Sequence, residues 1–319
     1  MKPSRAGRRW TTLCGRFPAD SARRVPFFGN KLAPGNERPI LRTRFGVLDI
    51  DTVLDRVGSD IVVRLRAAGC VFAEDEARLL AETASDQAEL DAMVSQRVAG
   101  LPLEHVLGWA QFCGLRIAVE PGVFVPRVRT EFLIAQAAGL IQPDAVALDL
   151  CCGSGAMGMA LAAAVPLAQL HAVDIDEAAV RCATGNLAGS GTVYRGDLYE
   201  PLPQSLRARV DIVIANVPYV PSGEVPLLPA EARLHEAAVA LDGGPDGLDV
   251  LRRVAAGAPA WLRPGGHLLI ETSERQVTLA TAAFAEHGLR PQLASSEELG
   301  STVIIGTNAS VTHGVGESL

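Results

Sequence analysis

The stretch Ala145-Val146-Ala147-Leu148-Asp149-Leu150-Cys151-Cys152-Gly153-Ser154-Gly155-Ala156 decides the fold. Six mostly apolar residues of strand length run into two glycines, and an alanine-, leucine- and methionine-rich run of helical length follows to Val165. Glycine in such a turn lets the backbone take left-handed conformations and approach a ligand closely, while the helix start offers unpaired amides. The same grammar of strand, turn and helix repeats outward. Gln169 to Val173 reads as a strand and Glu177 to Leu187 as a helix; Thr192 to Tyr194 and Val210 to Ala215 read as further strands. A helix over Gly247 to Ala260, a strand over His267 to Glu271 and a helix over Arg275 to His287 continue the series. It closes with strands over Leu289 to Ala294 and Thr302 to Gly306, whose short link requires them to be antiparallel. Alternation of this kind predicts an α/β fold with a doubly wound, seven-stranded sheet and a ligand at the carboxyl ends of its strands.

Upstream the pattern differs. From Gly46 to Gly100 the apolar residues fall at helical spacing (Val47, Ile50, Val53, Leu54, Val57, Ile61, Val62, Leu65, Leu79, Leu80, Leu90, Met93, Val94), which predicts three or four short helices. The best defined are Ser59 to Ala68, Ala73 to Ser85 and Asp86 to Val98. Two Gly-bounded runs, Leu103 to Gly108 and Gln111 to Val119, read as the strands of a hairpin.

Composition narrows the class. The chain has 319 residues, 48% hydrophobic and 20% charged, as expected of a globular protein larger than one average domain. Its longest uncharged apolar run, Ala156 to Ala168, is broken by Pro166 and falls short of a membrane span, so no membrane partner is expected. The six cysteines (Cys14, Cys70, Cys113, Cys151, Cys152, Cys182) contain no CxxC pair, which predicts no metal site, no disulfide framework and a reducing, cytoplasmic setting. The net charge of −7 divides unevenly: residues 1–45 carry eleven Arg or Lys against two acids, and residues 46–319 carry eighteen against thirty-four. The acidic body argues against a nucleic-acid partner, and the basic arm reads as a disordered leader.

Three acids stand at successive strand ends. Asp149 closes the first strand, where an acid suits a cationic ligand such as S-adenosylmethionine better than a pyrophosphate. The expected binding turn comprises Asp149, Cys151, Gly153 and Gly155, with Gly158 read as helix packing. Asp174 ends the second strand and is placed to accept from both ribose hydroxyls, while Asp176 reads as the cap of the next helix. Asp197, after the third strand, is placed to accept from an adenine amino group.

The fourth strand runs into Asn216-Val217-Pro218-Tyr219. At this point the sequence resembles the HemK-type methyltransferases, which methylate a glutamine side-chain amide in a protein and carry Asn-Pro-Pro-Tyr here. The likeness extends to Arg97-Val98-Ala99-Gly100-Leu101-Pro102-Leu103, to Val123-Phe124-Val125-Pro126-Arg127 with Thr130-Glu131, and to Asp197-Leu198-Tyr199-Glu200-Pro201-Leu202. It reaches as far as Leu241-Asp242-Gly243-Gly244-Pro245-Asp246-Gly247-Leu248 and covers roughly residues 46–307. The resemblance implies a class I, Rossmann-like methyltransferase domain that uses S-adenosylmethionine and modifies a protein substrate bearing an exposed glutamine, release-factor-like or ribosomal. It implies catalysis at Asn216, Val217, Pro218 and Tyr219, with Asn216 also counted in the cofactor set, and a substrate side formed by Phe124, Pro126, Arg127, Thr130, Glu131 and Glu236. The organisation that follows is a leader (1–45), a helical domain (46–100), a linking hairpin (101–122), the methyltransferase domain (123–307) and a flexible tail (308–319).

This chain departs from the family at four places. Val217 stands for the first proline, Val128-Arg129 for Pro-Glu, and Cys151 for a frequent glycine; Glu236 lacks the Pro-Arg that normally follows it. These departures keep alternatives in view: a methyltransferase of the adenine exocyclic amine in DNA or RNA, a small-molecule methyltransferase, or a silent binding protein of the same fold. His105, His171, His235 and Cys152 are assigned no chemistry, and Trp109 and Phe112 read as hairpin packing.

Overall fold

A computed structural model describes residues 50–309; for residues 50–58 it describes the helical backbone alone. The expected leader, Val47 and the tail from residue 310 lie outside the described residues. The chain divides into two compact units between Ala99 and Gly100.

Among its described residues the first unit has the helices α1 (Ile50–Ala67), α2 (Ala73–Thr83) and α3 (Gln87–Val98). Their apolar stripes meet at Ile61, Leu65, Leu80, Leu90, Met93 and Val94, all buried. Asp86 caps α3 by accepting from the Glu89 N–H at 2.8 Å, and the Glu89 carboxylate reaches back to the Ser85 N–H at 2.7 Å. This reciprocal arrangement satisfies amides that a helix start leaves unpaired. Inside the unit, Arg97 pairs with Glu76 at 2.6 Å, both side chains nearly covered.

The second unit opens with a correction. Leu103 to Gly108, expected as a strand, is instead a short helix, α4 (Leu103–Leu107). The Pro102 carbonyl accepts from the N–H groups of His105 and Val106, and Gly108 at φ 75° stops the turn. Proline entry and glycine exit are the asymmetry of a helix, and over five residues they outweigh a weak strand pattern. The hairpin is shorter than expected: β1 (Trp109–Phe112) pairs antiparallel with β2 (Leu115–Ala118). Cys113 (φ 49°) and Gly114 (φ 75°) form its two-residue turn, both left-handed as a type I′ turn requires.

A helix with no clear sequence signal, α5 (Glu131–Leu140), then leads to the main sheet. The order along the chain is β3 (Ala145–Leu150), α6 (Ala156–Ala164), β4 (Leu167–Asp174), α7 (Glu177–Asn186), β5 (Thr192–Arg195) and β6 (Val210–Ala215). There follow a short α8 (Ala230–His235), α9 (Asp249–Trp261), β7 (Leu262–Thr272), α10 (Val277–Glu286), β8 (Leu289–Ser296) and β9 (Ser301–Asn308). The strands lie in the order β5-β4-β3-β6-β7-β9-β8, parallel except for β9, which is antiparallel to both neighbours. This is the Rossmann-like methyltransferase fold expected from the sequence.

Strand alternation sorts the core into two layers. Ala145, Ala147, Ile212, Ile214 and Leu269 pack beneath α5, α6 and α7, whereas Leu148, Leu150, Val213, Ala215, Leu268 and Ile270 pack against α9 and α10. Asp149 shares the parity of Ala145 and Ala147 and therefore faces the α6 layer. The chain runs outward from β3 to β5 and then returns to β6 on the other side of β3, so the strand order switches between β3 and β6. In open α/β sheets ligands bind at that switch, outside the carboxyl ends of the strands.

Candidate active site

A cavity of about 590 Å³ opens at this switch point, within the range that holds one small ligand. The turn after β3 forms one wall. Cys151 (φ 54°), Gly153 (φ 55°) and Gly155 (φ 76°) are all left-handed, and the Cys152 N–H bonds the Val173 carbonyl at 3.0 Å. Asp174, at the tip of β4, accepts from the Gly153 N–H at 2.8 Å and from the Asp176 N–H at 2.9 Å. Its carboxylate thus stitches the turn to the second strand while lining the cavity, and burial raises its pKa. Asp176 caps α7 through the Ala179 N–H at 3.2 Å. Asp197 also lines the cavity, with one oxygen accepting from Arg253 at 2.6 Å.

Asn216, Val217, Pro218 and Tyr219, which follow β6, line the cavity as well. Asn216 Nδ2 donates a long hydrogen bond, 3.5 Å, to Thr130 Oγ1. Val217 is buried in the core layer beneath α9. The Asp242-Gly243-Gly244-Pro245-Asp246-Gly247 loop packs onto the backbone of this segment: Val220 N–H bonds the Leu241 carbonyl and Gly243 N–H the Val220 carbonyl, at 3.1 and 2.8 Å. Gln276 Nε2 donates to the carbonyls of Tyr219 and Asp246, both at 2.9 Å. A side chain on Gly247, which has φ 74°, would overlap the Tyr219 carbonyl, so the close approach requires glycine there.

The remaining wall carries two ion pairs. Arg127 meets Glu236 at 2.5 Å and lies over the Phe124 ring at 4.8 Å; the Glu236 side chain is 1% exposed and accepts also from the Val125 N–H at 3.3 Å. Arg129 donates through Nε to Glu271 at 2.9 Å and through Nη2 to the Tyr219 hydroxyl. Burial raises the Tyr219 pKa, with Arg129 acting in the opposite sense.

The cavity therefore brings together Cys151, Gly153, Asp174, Asp197 and Asn216 from the expected cofactor set. From the substrate side it gathers Phe124, Pro126, Arg127, Thr130 and Glu236. It does not include Asp149, Gly155 or Glu131. Asp149 is wholly buried below the turn, where Oδ2 accepts from the Gly158 N–H at 2.8 Å and burial pushes its pKa up to about 8. Its strand parity sends it under α6 rather than into the cavity. Gly155 packs against α7, with Ala183 and Leu187 where a side chain would stand. Glu131 turns toward the hairpin and accepts from the Cys113 N–H at 2.7 Å, satisfying an amide of the left-handed turn. His105 bonds the Val123 carbonyl and His171 stacks on Tyr194, both structural contacts. Sequence reasoning did not find Arg253, Glu271 or Gln276. None sits in a local motif, whereas Arg129 did carry a signal as a departure within one.

The Methyltransferase small domain family matches residues 115–246. A release factor glutamine methyltransferase of Geobacter sulfurreducens is 34% identical over 217 residues, covering 67% of this chain and 75% of that one. A protein of the same name from Mycolicibacterium smegmatis is 40% identical over 205 residues, covering 63% and 72%. The chain belongs to the release factor glutamine methyltransferase family. As a member of that family it is an enzyme, and the match to the family domain spans the turn after β3, the Asn216 segment and much of the loop that clamps it. A further relative, the 4-amino-L-phenylalanine/4-methylamino-L-phenylalanine methyltransferase of Streptomyces pristinaespiralis, is 36% identical over 203 residues, covering 61% and 69%. Among the described residues no helix is long and apolar enough to cross a membrane.

Proposed function

We propose that this enzyme transfers a methyl group from S-adenosylmethionine to the side-chain amide nitrogen of a glutamine in a release factor. The observation that carries the reading is the Asn216–Tyr219 segment, held on the cavity wall by the 242–247 loop and by Gln276. The cofactor supplies an electrophilic methyl on a sulfonium. The chain offers it a wall on which Asp174, Asp176 and Asp197 outnumber Arg253, a charge balance that suits a cation. Each Asp174 oxygen accepts a backbone N–H, and the carboxylate lines the cavity where it can also accept from the ribose hydroxyls. The Asp197 oxygen not bonded to Arg253 is the acceptor for the adenine amino group. Asp149 acts indirectly, by pinning the first turn of α6.

A carboxamide nitrogen is a weak nucleophile because its lone pair is delocalised into the carbonyl. The Asn216 side-chain oxygen and the Val217 carbonyl each accept one amide hydrogen, which orients the nitrogen toward the methyl and stabilises the positive charge that develops on it. The N–C bond forms as the S–C bond breaks, and the nitrogen then releases one proton to water. Tyr219 covers the planar amide and excludes solvent.

The test is to incubate the purified enzyme with isotopically labelled S-adenosylmethionine and a purified release factor, then to locate the label by mass spectrometry. Label on a glutamine side chain supports the reading. Label found instead on adenine after incubation with nucleic acid, or on a small aromatic amine, overturns it.

A further inference from the structure

Tyr219 is held at both ends. Its carbonyl accepts from Gln276, and its hydroxyl from Arg129. Arg129 is itself fixed, because its Nε donates to Glu271 at 2.9 Å and the Glu271 side chain is 2% exposed, on strand β7 of the sheet. The second Glu271 oxygen is buried and has no hydrogen-bond partner among the described residues, where Arg129 is the cation that compensates that carboxylate. A rigid strand thus reaches through a charge-assisted bond and a guanidinium to the ring of the acceptor loop. The loop needs such support, since Val217 lacks the fixed φ that proline would give it. The Arg129 side chain makes no other hydrogen bond among the described residues.

We propose that Arg129, anchored by Glu271, is a positioning residue that fixes the Tyr219 ring and so stiffens the Asn216–Tyr219 loop in place of the missing proline. The proposal rests on that loop being the acceptor site. It assigns Arg129 no contact with substrate: the guanidinium acts through Tyr219.

The experiment combines Arg129→Ala, Arg129→Lys, Tyr219→Phe, Val217→Pro and the paired variants, read in two ways. Steady-state methylation of a release factor separates kcat from KM. Fluorine NMR of enzyme labelled with 3-fluorotyrosine reports the ring directly; the chain has three tyrosines, and the resonance missing from the Tyr219→Phe protein is that of Tyr219. Arg129→Ala should lower kcat by about 10-fold or more while changing cofactor affinity less than about twofold, since a small displacement of a positioned group has that scale of effect. The Tyr219 resonance should shift and broaden. Tyr219→Phe should reproduce most of the kcat loss, the Arg129→Ala/Tyr219→Phe pair should add little to it, and Val217→Pro should restore part of the rate in the Arg129→Ala background. Arg129→Lys should fall between. Additive losses, or an unchanged Tyr219 resonance in Arg129→Ala, overturn the proposal, as does a raised KM for the release factor at constant kcat. Where Arg129→Ala fails to fold, Tyr219→Phe and Arg129→Lys carry the test. If no glutamine is methylated yet the ring resonance responds as described, the strap stands and the substrate reading falls.

Discussion

A methyl group placed on Gly243 would stand 2.6 Å from the carbonyl oxygen of Pro218. Two loops far apart in sequence are therefore in backbone-to-backbone contact, and the position of the acceptor segment depends on that contact. Gly243→Ala should push the segment away, at a cost of about 1–3 kcal/mol in stability, the range for overpacking a fitted contact. Single-turnover methyl transfer should fall with it while cofactor affinity, read by calorimetry, stays close to wild type. Full turnover in a folded Gly243→Ala enzyme would detach this loop from catalysis.

Asn216→Ala removes one of the two acceptors proposed for the amide hydrogens. Single-turnover transfer should drop on the order of 10²-fold or more, as when other preorganised polar contacts to a transition state are lost. Because the only side-chain bond of Asn216 among the described residues is the long one to Thr130, thermal stability should barely change. Comparable rates in the two proteins would remove Asn216 from the mechanism.

Asp174 has a double load, holding the Gly153 and Asp176 amides and facing the cavity. Asp174→Asn keeps one acceptor oxygen, whereas Asp174→Ala keeps none. Affinity for S-adenosylmethionine should therefore fall in the order wild type, Asn, Ala, with a loss of roughly 1–3 kcal/mol for the alanine protein. Isothermal titration of the three proteins checks the order; equal affinities would refute the assignment.

The buried Asp149 makes a pH-dependent prediction. Its pKa is raised from 3.8 to about 8, so the folded protein favours the neutral acid. The stability this group contributes is complete below about pH 4 and is lost as the pH rises through about 8. Asp149→Asn cannot ionise. Its melting temperature relative to wild type should therefore climb steadily between pH 4 and pH 8, and melting curves whose difference is constant over that span would disprove a neutral Asp149.

Two ion pairs of the same chemistry should differ in weight. Arg127→Ala removes the cation from the Glu236 carboxylate, which is buried, keeps only the long bond from the Val125 N–H and has a second oxygen without a partner among the described residues. That should cost about 3–5 kcal/mol, whereas Arg181→Ala, which breaks the exposed pair with Glu120, should cost at most about 1 kcal/mol. Chemical denaturation of both variants measures the contrast, and equal losses would contradict it.

Much of the sheet was legible because its strands are buried on both faces and read as continuous apolar runs: Ala145–Leu150 and Val210–Ala215 have the expected bounds. Leu103–Leu107 was misread because five residues carry too little periodicity to separate strand from helix, and α5 escaped because it is apolar all round. In the site, the residues that declare themselves lie at strand ends, as Asp174 and Asn216 do. Asp149 shows the limit of that rule. It too ends a strand, but parity points it beneath a helix, and parity toward a layer is a property of the assembled sheet. Arg253, Glu271 and Gln276 reach the cavity or its supports from elements that carry no motif, so only the fold reveals them. Cys151 is a case in which the sequence stated a departure and the structure explains it: the position is left-handed, which is where glycine is at ease.

The five residues from Arg127 to Glu131 touch four separate parts of the second unit. Arg127 holds Glu236, Arg129 holds Tyr219 and Glu271, Thr130 meets Asn216, and Glu131 supports the Cys113 turn of the hairpin. Each of these bonds depends on the phase of the chain at that point. Deleting or inserting one residue here would rotate every following side chain by about 100° at the entry to α5 and would break several of these contacts together. A change of identity breaks only the contacts of the residue replaced, and Val128, which makes none of these bonds, is free to vary. The segment is therefore expected to tolerate replacement at Val128 and to reject changes of length, so that across relatives the count of residues here is fixed even where Val128 is replaced.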